Sequence, residues 1–270
     1  MNIHFYKYQG TGNDFIMIDD RNGSFPIENH SLVARLCDRK FGIGADGLIL
    51  LQKNIDSPFY MYYYNSDGNQ SSMCGNGGRC IAAFAHYLKI ADKETTFKAF
   101  DGVHEALISG EEKKLFIKLK MQNVSDIKIS SDGYDFVLNT GSPHFVKFIS
   151  QSLSDFPLVE EAKEIRYNDK YKAEGINVNI VNLAGLKKIT MRTYERGVED
   201  ETLSCGTGVT AAALSAAILN NLPNGIHTID VTTLGGVLSV KFDYHKQQQS
   251  FSDIWLQGSA TFVFEGDIEV

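Results

Sequence analysis

Cys74-Gly75-Asn76-Gly77 and Cys205-Gly206-Thr207-Gly208 are one four-residue phrase written twice, 131 residues apart, and an alanine-rich helical stretch follows each copy. The likeness extends outward from the phrase. Asn65 precedes the first cysteine by nine residues, and Arg196 precedes the second by nine. Further upstream, Thr11-Gly12-Asn13-Asp14-Phe15 matches Thr140-Gly141-Ser142-Pro143-His144-Phe145 at an offset of 129, and Gly42-Ile43 matches Gly175-Ile176 at an offset of 133. Four matches in one order at nearly one spacing are the signature of an internal duplication. The predicted fold class is therefore α/β, of the α+β type, with two similar domains related by a pseudo-twofold axis and an active site in the cleft between them. The boundary falls in the polar stretch 121–131.

Hydrophobic periodicity supplies the elements. Alternating or β-rich runs predict strands at 15–19, 47–52, 59–64, 115–120, 144–148, 177–183, 188–194, 237–242 and 260–264. Helical spacing predicts helices at 32–39, 77–88, 157–166 and 209–219.

Bulk properties narrow the partners. The chain has 270 residues, 43% of them apolar and 22% charged, which is ordinary material for folded domains. Its formal charge of −7 lacks the basic footprint that nucleic acid or an anionic membrane requires, so the expected partner is a small molecule. The N-terminal stretch carries no secretory pattern and no later apolar run approaches a membrane span, which predicts a cytoplasmic protein. In that compartment the four cysteines, Cys37, Cys74, Cys80 and Cys205, are expected as thiols.

The position of the repeated phrase carries the chemistry. The first turn of a helix leaves backbone N–H groups unpaired at the positive end of the dipole, so it holds anions and favours a thiolate. Glycine beside the cysteine lets a ligand approach the backbone. Two such helix starts, brought together by duplication, would flank one carbon with two sulfurs and converge on a carboxylate. That is the equipment for removing a proton from one face of a carbon and returning one to the other. A single cysteine is more often a small buried hydrophobe, and Cys37 and Cys80 are read that way. Zinc is disfavoured by the five residues between Cys74 and Cys80 and by scattered histidines, so no metal is expected. A cysteine hydrolase with His144 as base would leave the second phrase unexplained. Neither copy has the lysine of a phosphate-binding loop.

The stretches 10–15 (GTGNDF), 41–47 (FGIGADG), 64–68 (YNSDG), 73–80 (MCGNGGRC), 141–145 (GSPHF), 175–179 (GINVN), 194–198 (YERGV) and 201–208 (ETLSCGTG) closely resemble the diaminopimelate epimerase family. The paired cysteines alone are shared with the proline racemases, which remain the alternative. The resemblance implies interconversion of LL- and meso-2,6-diaminopimelate without pyridoxal phosphate, another cofactor or a metal, on the route to lysine and peptidoglycan. It also implies a homodimer and two domains, 1–120 and 121–256, each wrapping strands around a central helix, with the strand at about 257–270 returning to the first domain.

By the same resemblance Cys74 and Cys205 are the acid/base pair, while Gly75, Asn76, Gly206 and Thr207 hold the carboxylate at the reacting centre. Asn13, Asn65, Asn177, Glu195 and Arg196 grip the distal amino-acid head, and His144 and Glu195 tune the thiols. Arg196 suits a carboxylate and Glu195 an ammonium. The sequence departs from the family pattern at Ser142, where asparagine is common; the shorter serine hydroxyl can still donate and is expected to bind substrate. It departs also at Gly47, where some members have glutamine and which is not taken as a site residue. Taken singly, Asn13 and Asn65 read equally as turn residues, and Glu195 and Arg196 as a solvated pair. His144 alone reads as structural.

Overall fold

The computed structural model describes every residue except Ser72, Glu112 and Lys113. It divides into two units, Met1–Leu119 with Gly258–Val270, and Lys120–Gln257. In chain order the first unit contains β1 (Asn2–Gly10), β2 (Asn13–Asp19), α1 (His30–Cys37), β3 (Gly47–Gln52), β4 (Tyr60–Asn65), α2 (Gly75–Tyr87), β5 (Glu94–Ala99), β6 (Gly102–Glu111) and β7 (Lys114–Lys120). The second contains β8 (Lys128–Ile129), β9 (Asp135–Asn139), β10 (Pro143–Phe148), α3 (Leu158–Arg166), β11 (Asn177–Gly185), β12 (Lys188–Glu195), β13 (Asp200–Thr202), α4 (Gly206–Leu219), β14 (Gly225–Thr233) and β15 (Gly236–His245). Strand β16 (Ser250–Glu269) runs from the second unit into the first.

The two units repeat one topology. In the first, β1 and β2 are antiparallel, β2 and β3 parallel, β3 and β4 antiparallel, β4 and β5 parallel, and β5, β6 and β7 antiparallel. In the second, the same series of pairings runs through β9, β10, β11, β12, β14, β15 and β16. Helices α1 and α3 bridge the first parallel pair of each unit, and α2 and α4 bridge the second. In the first unit the late part of β16 pairs with both β7 and β1, so the strands close into a ring.

Each ring or sheet surrounds one helix. Helix α2 is buried from Gly75 through Ala85, and α4 buries Gly206 and the whole run Gly208–Ala217. A helix that is apolar on every side belongs inside, and small alanines let strands approach it closely. Against the outer side of β2 and β3, α1 packs Val33, Leu36 and Cys37 on Ile16, Ile18, Leu48 and Leu50. Leu158 and Ala162 of α3 do the same with Val178 and Ile180 of β11. Strands covered on both faces read as unbroken apolar runs, which explains why 15–19 and 47–52 were legible.

All four expected helices form, and among the described residues they are the only α-helices. The two central helices begin two to three residues earlier than their apolar spacing indicates, because the glycines of each repeated phrase are already helical. Strands β1, β5, β6, β9 and β14, and the short β8 and β13, lie outside the expected runs. In β1 and β5 the outward positions are mostly polar or charged and inward ones, such as Ile3, Phe5, Thr95 and Phe97, are buried, while β6 and β14 expose Val103, Leu107 and Ile226 and so break the alternation.

Candidate active site

Both cysteines of the repeated phrase are helix N-caps in extended backbone, Cys74 at φ −100° and Cys205 at φ −115°. Cys74 is half-buried, and its sulfur accepts the Gly77 backbone N–H at 3.1 Å. Cys205 is 8% exposed. Its sulfur lies 3.4 Å from the Thr207 hydroxyl. Both sulfurs sit at the positive dipole end of a helix, which favours negative charge; Cys74 also takes a helix N–H, whereas Cys205 makes no side-chain capping bond and has the Thr207 hydroxyl beside it. Cys37 and Cys80 are different. Burial pushes both thiols up to about 12, which keeps them protonated.

In the first unit a buried cation lies beside the start of α2. Arg79, one turn into α2, is fully buried and donates to the carbonyls of Ser259 and Gly75, to Thr11 Oγ1 and to Asn76 Oδ1, at 3.0–3.4 Å. No carboxylate pairs with it among the described residues; the titratable groups that act on it are Cys80 and Cys74. Burial lowers its basicity first, and the two sulfurs oppose that. The guanidinium thereby ties Asn76 at the helix start to the β1–β2 turn. That turn places Thr11 at φ 51° and Gly12 at φ 84°, the two positive values of a tight hairpin. Next comes Asn13, whose Oδ1 is buried without a hydrogen-bond partner. Such an acceptor is costly to leave empty and suits a donor such as an ammonium.

Asn65 ends β4 opposite Gly47 and is exposed. At Gly47 a Cβ would lie 2.6 Å from both the Tyr63 ring and the Tyr64 carbonyl. The departure to glycine thus accompanies a tyrosine that occupies the space beside it.

In the second unit His144 is fully buried at the start of β10. It contacts Thr207 Oγ1 at 2.9 Å through Nε2 and the Asn179 amide at 3.1 Å through Nδ1. Burial, and secondarily the charge of Arg196, lowers it from 6.5 to about 3, so the imidazole is neutral. Thr140 donates to the Thr207 carbonyl at 2.7 Å and further fixes the α4 start. Gly206 opens that helix.

A model of the family described as "Diaminopimelate epimerase" matches residues 5–126 and 136–263. The chain is 52% identical over 266 residues to the diaminopimelate epimerase of Flavobacterium psychrophilum, covering 98% of this chain and all of the relative. The chain belongs to the diaminopimelate epimerase family. A second relative of that name, from Chlorobaculum tepidum, is 38% identical over 96% of this chain and 98% of its own. The fold is shared more widely. A Bacillus anthracis phenazine biosynthesis protein of the PhzF family superposes with a TM-score of 0.79 over the full length of both chains at 14% identity.

The remaining residues that the diaminopimelate epimerase motifs single out cluster at the end of β12. Glu195 is the last residue of that strand and is half-buried; Arg196 follows, exposed, and donates to the Glu174 carbonyl at 2.8 Å. Asn177 is 4% exposed. Its amide donates to the Pro143 carbonyl at 3.2 Å and accepts the Arg196 backbone N–H at 2.8 Å, so much of its capacity holds the backbone. Ser142 is half-buried, and its carbonyl accepts the Thr140 N–H. In the first unit Gly75, Asn76 and Thr11 are joined through Arg79, the Cys74 sulfur bonds to the Gly77 N–H, and Asn13 follows the Thr11-Gly12 turn. In the second, Cys205, Thr207 and His144 form a connected group, and Asn177 joins Arg196. Sequence reasoning missed Thr11, Arg79 and Asn179, although they stand inside the motifs 10–15, 73–80 and 175–179. No group of three or more metal-ligating side chains occurs among the described residues, and none of the described helices is long and apolar enough to cross a membrane.

Proposed function

We propose that the protein interconverts LL- and meso-2,6-diaminopimelate by a two-thiol mechanism. The observation that carries this reading is the duplicated N-cap cysteine at the start of each central helix, in a chain of the diaminopimelate epimerase family. One sulfur, as thiolate, takes the α-proton, and the C–H electrons pass into the adjacent carboxylate. The other, as thiol, gives its proton to the opposite face of the same carbon. After one turnover the two sulfurs have exchanged protonation states, and the reverse reaction uses them in opposite roles. The N–H groups at Gly75, Asn76, Gly206 and Thr207 stabilise the charge gathering on the carboxylate, a contribution that grows as water is excluded.

Specificity in this reading comes from the second head of the substrate. Arg196 forks onto its carboxylate, Glu195 faces its ammonium, and Asn13, Asn65, Asn177 and Ser142 supply neutral bonds. His144 and Glu195 tune the thiols. The protein acts as a cytoplasmic homodimer supplying lysine and peptidoglycan precursors, and light scattering at twice the 30.0 kDa chain mass would support the dimer.

The test is epimerisation in D₂O. Early product should carry solvent deuterium at the inverted carbon while remaining substrate stays protonated there, because the donor thiol has already exchanged. Cys74→Ala and Cys205→Ala should each abolish turnover. Product that retains its original hydrogen, or a single-cysteine variant of near wild-type rate, excludes two thiols. Parallel assays on proline and diaminopimelate separate the racemase alternative, and turnover of proline alone overturns the substrate assignment.

A further inference from the structure

Hydrogen-bond direction can be followed through the second unit from an atom that has no choice. The Phe145 carbonyl accepts only, and an Asn179 side-chain atom lies 3.0 Å from it, so that atom is the NH₂ nitrogen. The other end of the amide agrees, since Asn179 Oδ1 accepts from the Thr193 hydroxyl at 3.0 Å. The same NH₂ group faces His144 Nδ1 at 3.1 Å. Two donors cannot face each other, so Nδ1 is unprotonated and the neutral ring carries its proton on Nε2. That proton goes to Thr207 Oγ1 at 2.9 Å. The threonine hydroxyl then has the Cys205 sulfur, at 3.4 Å, as the acceptor for its own proton.

We propose that Asn179 is a positioning residue: it fixes the His144 tautomer and thereby turns the Thr207 hydroxyl toward the Cys205 sulfur, favouring the thiolate. The inference rests on Cys205 acting as an acid/base thiol. The network is closely built. At Gly208, two residues into α4, a Cβ would lie 2.5 Å from Asn179 Oδ1 and 3.3 Å from His144 Cε1, so glycine is what lets the helix start reach it. Thr193, Asn179 and His144 are all buried, which removes water as a competing partner. In this arrangement His144 cannot serve as a general base, because Nδ1 is occupied by the Asn179 amide and Nε2 holds the proton. A hydrolase reading that needs it as base loses its support.

Two measurements test this without relying on turnover. In ¹⁵N-labelled protein, with the His144 signals assigned by their loss in His144→Gln, the ring should appear as the Nε2–H tautomer and should not titrate near the ordinary histidine value. In Asn179→Asp the carboxylate accepts instead of donating, so Nδ1 should become protonated. Separately, the rate at which iodoacetamide modifies Cys205 can be followed against pH by peptide mass spectrometry. Thr207→Val and Asn179→Leu should each slow it about tenfold at neutral pH, the effect of one hydrogen bond to a charged sulfur, and the double variant should be no slower than Thr207→Val alone. An Nδ1–H or freely titrating His144 in the wild type, or additive effects in the double variant, overturns the proposal. A protein with the expected tautomer and alkylation profile that leaves diaminopimelate unchanged would instead sink the assigned reaction and leave the network standing.

Discussion

At the scale of single residues, the buried titratable groups carry measurable consequences. His144 is held near 3 by burial and by Arg196, whereas an unfolded histidine takes its proton near 6.5. The unfolded chain thus binds a proton that the folded one refuses, so this group's contribution is intact above about 6.5 and is lost as pH falls from there toward about 3. Urea midpoints measured across that window should fall with acid more steeply in the wild type than in His144→Gln; parallel slopes would place the acid sensitivity elsewhere. Arg79 is the other case. Replacing it by Met removes a buried charge together with four hydrogen bonds, and a hydrogen bond from a charged group contributes about 1.5–3 kcal/mol. The expected net loss is at least about 2 kcal/mol in urea unfolding. An unchanged midpoint would show that desolvation of the charge cancels its bonds.

At the scale of elements, a charge cluster holds the β2 entry against the loop that leads into β3. Lys7, 7% exposed, and Arg39 both pair with Asp14, and Arg39 also reaches Asp46. Burial alone would raise Asp14, but hydrogen bonds from Arg39 and Lys7 outweigh it and hold the carboxyl at about 2. Because that value lies below the ordinary 3.8, the stabilisation is present above about 3.8 and is lost as pH falls toward about 2. Arg39, which makes the larger hydrogen-bond contribution to the lowered carboxyl, is exposed and screened by solvent, so its share in stability is discounted relative to that of buried Lys7. Asp14→Asn leaves the buried Lys7 ammonium with the Gly44 carbonyl, and should cost about 3 kcal/mol in chemical denaturation. A loss below about 1 kcal/mol would mark the pair as no better than a surface ion pair.

At the scale of the whole molecule, β16 is the strand both units use. Its first part, Ser250–Gln257, pairs with β15 in the second unit, and Gly258–Glu269 completes the first unit between β7 and β1. Deleting residues 258–270 should open two sheet edges in the first unit and leave the second unit's pairings in place. Hydrogen exchange should then show lost protection in β1 and β7 with β11–β15 still protected, and equal loss in both units would refute that division.

The sequence by itself determined the duplication, the two central helices and the residues at their starts, because these features are local. A helix buried on most of its surface is mostly apolar and small, with exceptions such as Arg79 whose polar groups are bonded, an N-cap is read from adjacent residues, and a repeat is visible in register. Strands β2 and β3 were legible for a similar reason, being covered on both faces. Only the tertiary structure decided the rest. Strands with a polar outer face, such as β1 and β5, carry half the signal and acquire their identity from what pairs beside them. The partners of Arg79, Thr11 and Asn179 lie in some cases 68 and 180 residues away along the chain, and side-chain spacing cannot encode such meetings. Hydrogen-bond direction around His144 is likewise tertiary: which nitrogen holds the proton depends on a carbonyl, an amide and a hydroxyl brought together from β10, β11 and α4.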